Sequence, residues 1–306
     1  SETGKNSKRS RGYFIFMIIA LMCVEVLDTY TTNYPNVIPS QVIKEFLSSH
    51  PPNVADSLYA VAIAIASIGM YVVFFNQLMA DKIGRKALLV ITVFGMGFSS
   101  FLLSLSTNLI QYTIFLFMLY VFFSSDIWVI YINEEAPPER RAFWTNLVLV
   151  GGVTGSILLP VFRSIYITDT VSNWRGMTYF AIILGIPLSL LILFSFKETI
   201  KFEEMKKLSL TEEIEEKTNL LRDNFEVIFA PERKKQVASV LFITFIVGMN
   251  YIFVSLGESF ISSSPNLNQN DINIVVLVMS LSVVFGYLFT GLFADKYGRK
   301  PLFYLY

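Results

Sequence analysis

The 306 residues are 54% apolar and only 16% charged, with a mean hydropathy of +0.56. Globular chains carry about 25% charged residues, so an ordinary soluble two-domain protein is excluded. The 24 Lys and Arg balance 24 Asp and Glu, which removes any global basic field for nucleic acid, and a single cysteine, Cys23, excludes a disulfide scaffold.

A bilayer core about 30 Å thick takes about 20 mostly apolar helical residues. Eight such stretches follow one another, at 13–34, 57–80, 87–107, 109–132, 143–162, 176–196, 236–260 and 272–294, and none holds a Lys or Arg. Helices of water-soluble cores are shorter and keep a polar face, so the fold class is an all-α membrane protein with eight transmembrane helices. The first run exceeds the roughly 7 to 15 apolar residues of a signal peptide and no small-residue cleavage site follows it, so it is expected to be retained. With the N-terminus in the cytoplasm, 21 basic residues fall on the cytoplasmic side and three, Lys44, Arg163 and Arg175, on the other. The expected organisation is a cytoplasmic tail over 1–12, a six-helix bundle over 13–196, a cytoplasmic loop over 197–235 and an incomplete second bundle over 236–306. In the loop, Ser209 and Glu212 read as a capping box, with Leu210, Ile214, Leu221, Phe225 and Ile228 at helical spacing. That pattern fits an amphipathic interfacial helix or a solvated linker.

One segment repeats. The stretch from Gln77 to Leu89 returns 214 residues later from Gly291 to Phe303, with eight of thirteen positions identical. Both copies lie on the cytoplasmic turn after the second span of their half. In such a turn Asp81 can face the positive N-terminus of the next helix, Gly84 relieves the backbone, and Arg85 and Lys86 hold the turn among the headgroups.

On these residues the chain resembles the major facilitator superfamily, whose loop between helices two and three carries G-x-L-A-D-x-x-G-R-K. The run from Glu134 to Arg141, Trp174-Arg175 and Lys197-Glu198-Thr199 are similar to the sugar-porter and metabolite-symporter branches. The resemblance implies twelve helices, of which this chain would hold eight and the start of a ninth. By the repeat offset a matching second half would end at roughly residue 410 or later, so the chain is expected to be truncated at its C-terminus. It further implies that Asp81, Arg85, Glu134 and Arg141 form a cytoplasmic gating network, with Asp295, Gly298, Arg299 and Lys300 as the counterpart. Gln77 and Ala142 depart from family glycines, and the fourth span lacks the glycines and arginine usual in sugar porters. In the fifth span Gly151 and Gly155, with Gly152 beside them, read as close helix packing or as an antiporter signature.

Four acids lie inside the spans. A carboxylate at mid-bilayer costs at least about 2.5 to 3.5 kcal/mol, so each is a functional candidate by default. By the helical rise Glu25 is about 21 Å into the membrane from Arg11, and Asp126 about 12 Å from Glu134. Asp28, one turn beyond Glu25, is expected to meet the outer half of a central cavity with Thr32 and Asn33. Glu25, Asp28 and Asp126 are proton- or substrate-binding candidates, with structural hydrogen bonding as the alternative, and Asn250 and Tyr251 could bond a polar solute. Glu258 is expected to be a solvated rim residue. With no Lys or Arg inside any span, these acids are expected to lack a basic partner at their depth. His50 has no metal-ligand companions, so no metal and no cofactor are expected, and no nucleophile, phosphate loop or ligand cluster points to an enzyme.

The expected function is secondary active transport of a small neutral or cationic organic solute by alternating access, as proton-coupled symport across the plasma membrane. The alternatives are a proton-coupled cation efflux antiporter and a solute receptor that does not transport.

Overall fold

A computed structural model of the chain describes residues 9–72, 79–80, 82–123, 127–211 and 230–297. In chain order its helices are α1 (Arg11–Asn33), α2 (Pro39–Phe46), α3 (Pro52–Ser67), α4 (Arg85–Ser104), α5 (Leu109–Val121), α6 (Ile127–Glu135), α7 (Arg141–Tyr166), α8 (Gly176–Ser195), α9 (Ile200–Thr211), α10 (Lys234–Ser262) and α11 (Gln269–Tyr297). The end of the bundle where α1 begins is termed proximal here, and the end where it stops, distal.

The helix starts follow from local chemistry. Ser10 caps α1 by accepting from the Tyr13 amide at 3.2 Å. Asn108 caps α5 by accepting from the Gln111 amide at 2.9 Å, and Gln111 reaches back to accept from the Thr107 amide at 3.0 Å. Those bonds satisfy donors that a helix start leaves without acceptors. Pro52 opens α3, where its fixed φ suits the first helical position.

Among the described residues, five segments are long and apolar enough to cross a membrane: Arg11–Val37, Pro52–Val72, Arg85–Ser104, Phe143–Tyr166 and Gly176–Ser195. Two expected spans are less regular. The second passes from α3 into a 3₁₀ segment, Ile68–Val72, where a Cβ on Gly69 would stand 2.5 Å from the Phe117 carbonyl oxygen. Close approach of α5 at that point favours glycine and a tightened turn. In the fourth, α5 ends at Val121 and α6 is Ile127–Glu135, with Phe122 and Phe123 outside both helices. Apolar side chains point outward as well as inward, with Phe194 81% and Ile183 72% exposed, an arrangement that suits lipid and not water.

Among the described residues, two helix seams are built on glycine contacts. The α1–α7 seam is built on the glycines of the fifth span: a Cβ on Gly155 would lie 2.6 Å from the Val26 carbonyl, and one on Gly151 2.9 Å from that of Met22. The α4–α8 seam uses a mutual pair, since a Cβ on Gly185 would lie 2.9 Å from the Gly97 Cα. Without a hydrophobic force between helices in lipid, such backbone contact supplies the packing energy.

At the distal end Arg175 donates to the Ser104 and Ser106 carbonyls and pairs with Glu45 at 2.8 Å, while the Trp174 indole donates to Glu45 at 2.6 Å. These contacts pin α2 onto the ends of α4 and α8. The Arg175 guanidinium holds the Glu45 carboxyl below the usual carboxylate range. Because its folded pKa lies below its unfolded one, the link contributes above the ordinary carboxylate range and is lost as pH falls through the lowered value.

The seams yield a stability prediction. Gly155→Leu overfills the α1–α7 contact at a cost of about 1–3 kcal/mol or more, read as a lowered melting temperature of the detergent-solubilised protein. Gly257→Ala, where nothing lies within 4 Å of the added Cβ, is expected to leave it unchanged.

Candidate transport cavity and its charged ends

A cavity of about 480 Å³ lies where α1 and α7 face α10 and α11. From α1 it receives Glu25, Thr29 and Asn33, spaced four residues apart and so on one face, and Asn36 continues that row. Leu149, Val153 and Leu159 of α7 and Ile272, Val276 and Met279 of α11 make its apolar walls. Ser156 and Ser280 add hydroxyls, and Glu258 closes the distal side. No Lys, Arg or His is among the described lining residues. Gly152 leaves the space into which Glu25 and Thr29 project: a Cβ there would meet Glu25 Oε1 at 2.9 Å and Thr29 Oγ1 at 3.0 Å. Pro160, inside α7, has no amide to give the carbonyl of Ser156 one turn back, and Ser156 lines the cavity.

Asp28 takes a different position from Glu25. It is buried in α1 but is not among the described lining residues, and its backbone carbonyl accepts from Thr31 Oγ1 and Thr32 Oγ1 at 3.1 and 2.8 Å. Asp126 lies outside the described residues. Asn250 and Tyr251 fall in α10 and Asp295 in α11, with their side chains outside the described ones, and Asp81, Gly298, Arg299 and Lys300 also lie outside the described residues, as does most of the expected loop helix.

The distal charges correct two expectations. Arg163 is not a loop residue: α7 continues one turn beyond the apolar run, and Arg163 sits in that turn with 0% exposure. Glu258 is not a solvated rim residue but 4% exposed, with its Oε1 2.6 Å from Arg163 Nη2. At least one intramembrane acid therefore has a basic partner at its own depth. The partner escaped notice because a count of apolar residues stops at the first charge, although a helix does not.

The proximal end carries the repeated motif. Gly84 has φ +102°, which favours glycine, and a Cβ there would collide with Glu198. Glu198 Oε1 accepts from the amides of Arg85 and Lys86 at 3.0 and 3.1 Å, so a carboxylate sits on the N-terminus of α4. Arg85, 4% exposed, donates to the Ala80 carbonyl at 3.0 Å, pairs with Glu134 at 3.3 Å and has its guanidinium 5.0 Å from the Phe202 ring centre. Thr199 Oγ1 donates to the second Glu134 oxygen at 2.5 Å. Glu135 accepts from the Ile200 amide at 2.8 Å and lies 3.5 Å from Arg9. Arg141 begins α7, and no bond between it and Glu134 is found among the described residues. Glu198 is the residue that reasoning from sequence did not single out; Lys197-Glu198-Thr199 was its only signal. Among the described residues no cluster of metal ligands occurs.

Apolar helices with lipid-facing surfaces, a cavity where α1 and α7 face α10 and α11, and a charged turn at the proximal end define a multi-pass membrane protein. The sequence profile of the Major Facilitator Superfamily matches residues 13–306, and the chain belongs to that superfamily. It is 25% identical over 251 residues to the putative transporter B0252.3 of Caenorhabditis elegans, covering 73% of this chain and 49% of that protein. It is 24% identical over 250 residues to the glycine betaine/proline/ectoine/pipecolic acid transporter OusA of Dickeya dadantii (strain 3937), covering 75% and 48%. The chain thus spans about half the length of the curated relatives it matches. Its fold is shared with the crystal structure of a D-xylose-proton symporter (TM-score 0.72, 15% identity, 94% of this chain and 71% of that one). It is also shared with a bacterial homologue of the human lysosomal transporter Spinster in an inward-facing, occupied conformation (TM-score 0.66, 13% identity, 95% and 63%).

For the proximal network, Glu198→Ala removes the acceptor at the start of α4, a loss of about 1–2 kcal/mol for a capping interaction. The expected readings are a lowered melting temperature and faster tryptic cleavage after Arg85 and Lys86. Glu203→Ala, at a side chain 47% exposed, is the control expected to change neither.

Proposed function

We propose that the protein is a secondary active transporter that carries a small neutral or cationic organic solute by alternating access, with a proton as the coupling ion and Glu25 as its carrier. The single observation behind this reading is the composition of the cavity wall: a carboxylate from α1, a row of hydroxyl and amide side chains, and no basic side chain among the described lining residues. An ionisable carboxyl on the wall of an intramembrane cavity is suited to take up and release a proton during the cycle or to receive a cationic nitrogen. Asp28 is the second candidate for the carrier. OusA is a transporter of glycine betaine, proline, ectoine and pipecolic acid, each of which bears a cationic nitrogen together with a carboxylate, and the structural neighbour is a D-xylose-proton symporter; the cationic nitrogen of the former and the neutral sugar of the latter are compatible with such a wall.

In this reading the protein lies in the plasma membrane with the proximal end and the N-terminus in the cytoplasm. Residues 13–196 act as one bundle, 197–235 as the connecting loop and 236–306 as part of the other bundle. Asp81, Gly84, Arg85, Lys86, Glu134 and Arg141 serve as the cytoplasmic gate, with Asp295, Gly298, Arg299 and Lys300 opposite. Asp126, Asn250 and Tyr251 complete the candidate solute and proton contacts. The apolar walls formed by Val153, Leu159, Val276 and Met279 favour a second reading, proton-coupled efflux of an amphiphilic cation; dye efflux from everted vesicles separates it from solute uptake.

The test is uptake into proteoliposomes that contain the complete protein. An imposed inward proton gradient is expected to accelerate uptake, Glu25→Gln to abolish that acceleration, and Gly152→Ala, which pushes a methyl against the Glu25 carboxylate, to weaken apparent solute affinity on the order of tenfold, the effect of about 1.4 kcal/mol. Uptake indifferent to the gradient in the wild type and in Glu25→Gln and Asp28→Asn variants would rule out proton coupling through α1.

A further inference from the structure

The distal side of the cavity is bordered by a polar seam that joins the helices before residue 197 to α10 and α11. Among the described residues, the carboxylate of Glu258 of α10 is held from the other side of that seam. Its Oε1 receives Arg163 Nη2 at 2.6 Å and Ser40 Oγ at 2.7 Å, and its Oε2 receives the Ser40 amide at 2.9 Å. Arg163 is divided between the two sides: its Nε donates to the Val37 carbonyl at 2.8 Å, while its Nη1 donates to Asn273 of α11. Asn273 answers by donating to the Ile167 carbonyl at 2.9 Å, and Gln41 donates to Gln269 Oε1 at 3.2 Å. At the rim, Asp169 accepts from the Gln269 amide and from Asn270 Nδ2, each at 2.9 Å.

We propose that Arg163 and Glu258 are the outer gate of the transport path, and that Glu258 is its solute-facing half. Glu258 is the gate residue that also lines the cavity, whereas Arg163 is not among the described lining residues. When the distal ends part, Arg163 keeps the Val37 carbonyl and stays with α7, while Glu258 loses its bonds to Arg163 and Ser40 and leaves with α10. Both charges then meet water entering the cleft. Closed, each charge is out of water and depends on the other; open, each is hydrated alone. Removing one partner therefore penalises the closed state far more than the open one. α2 stays with the first bundle because Arg175 and Trp174 hold Glu45, so the break falls between Ser40 and Glu258 and not behind α2.

This inference uses the orientation given under Proposed function, with the distal end outside, and the test separates the two. In a Cys23→Ser background of the complete protein, Ser156→Cys places a thiol on the cavity wall. It is labelled with a membrane-impermeant maleimide in right-side-out and in inside-out vesicles. Glu258→Gln and Arg163→Met are each expected to raise the labelling rate from the outside by about tenfold or more, the shift that about 1.4 kcal/mol produces. The double variant, which buries no charge, is expected to return towards the parent rate. Each variant is checked for a monodisperse elution profile, and the double variant keeps the test valid if a single one fails to fold. Rates unchanged from both sides, or single and double variants that rise alike, overturn the gate. A rise confined to the cytoplasmic side keeps the gate and overturns the orientation.

Discussion

A charge in hydrocarbon is tolerated only where something answers it, and the architecture follows from that constraint. At the distal end Arg163 and Glu258 answer each other, and at the proximal end Arg85 and Glu134 do, with the Ala80 carbonyl and Thr199 adding a further bond to each. An unpaired ion at mid-bilayer would cost at least about 2.5 to 3.5 kcal/mol, so both pairs lie near the ends of their helices. Glu25 stands apart from these end clusters, on the cavity wall between α1 and α7.

The same constraint explains why glycines and not large apolar residues set the helix seams. Lipid tails compete equally for Leu and Phe, so burial of those side chains cannot choose a partner helix. Backbone contact can. Gly151 and Gly155 bring α7 onto the Met22 and Val26 carbonyls, and Gly152, between them, opens the space that the Glu25 side chain fills. One short sequence thereby sets both the packing of α1 and the placement of its carboxylate.

Much of this was legible in the sequence, because apolar run length and the glycine spacing of 151–155 are one-dimensional signals. The repeat exposed the motif turn, and Gly84 carries the backbone conformation that the turn demands. What stayed hidden depends on distance in the chain. Arg163 looked like a loop anchor because its partner lies 95 residues on, and Glu258 looked solvated for the same reason. The 3₁₀ turn at Ile68–Val72 arises from the close approach of α5 at Gly69, which an apolar run does not encode. Glu198 was visible only as the middle of a three-residue likeness, since its partners are amides, and every residue but proline has one.

The position of Glu198 also orders events during synthesis. The acceptor for the first amides of α4 is made 113 residues after Arg85, at the end of the sixth span. Until the ribosome has delivered that residue, the first amides of α4 lack their carboxylate acceptor even though Glu134 is already available to Arg85, and the arginine still lacks the shelter of Phe202. The turn that opens α4 is therefore completed only after α8 has been made.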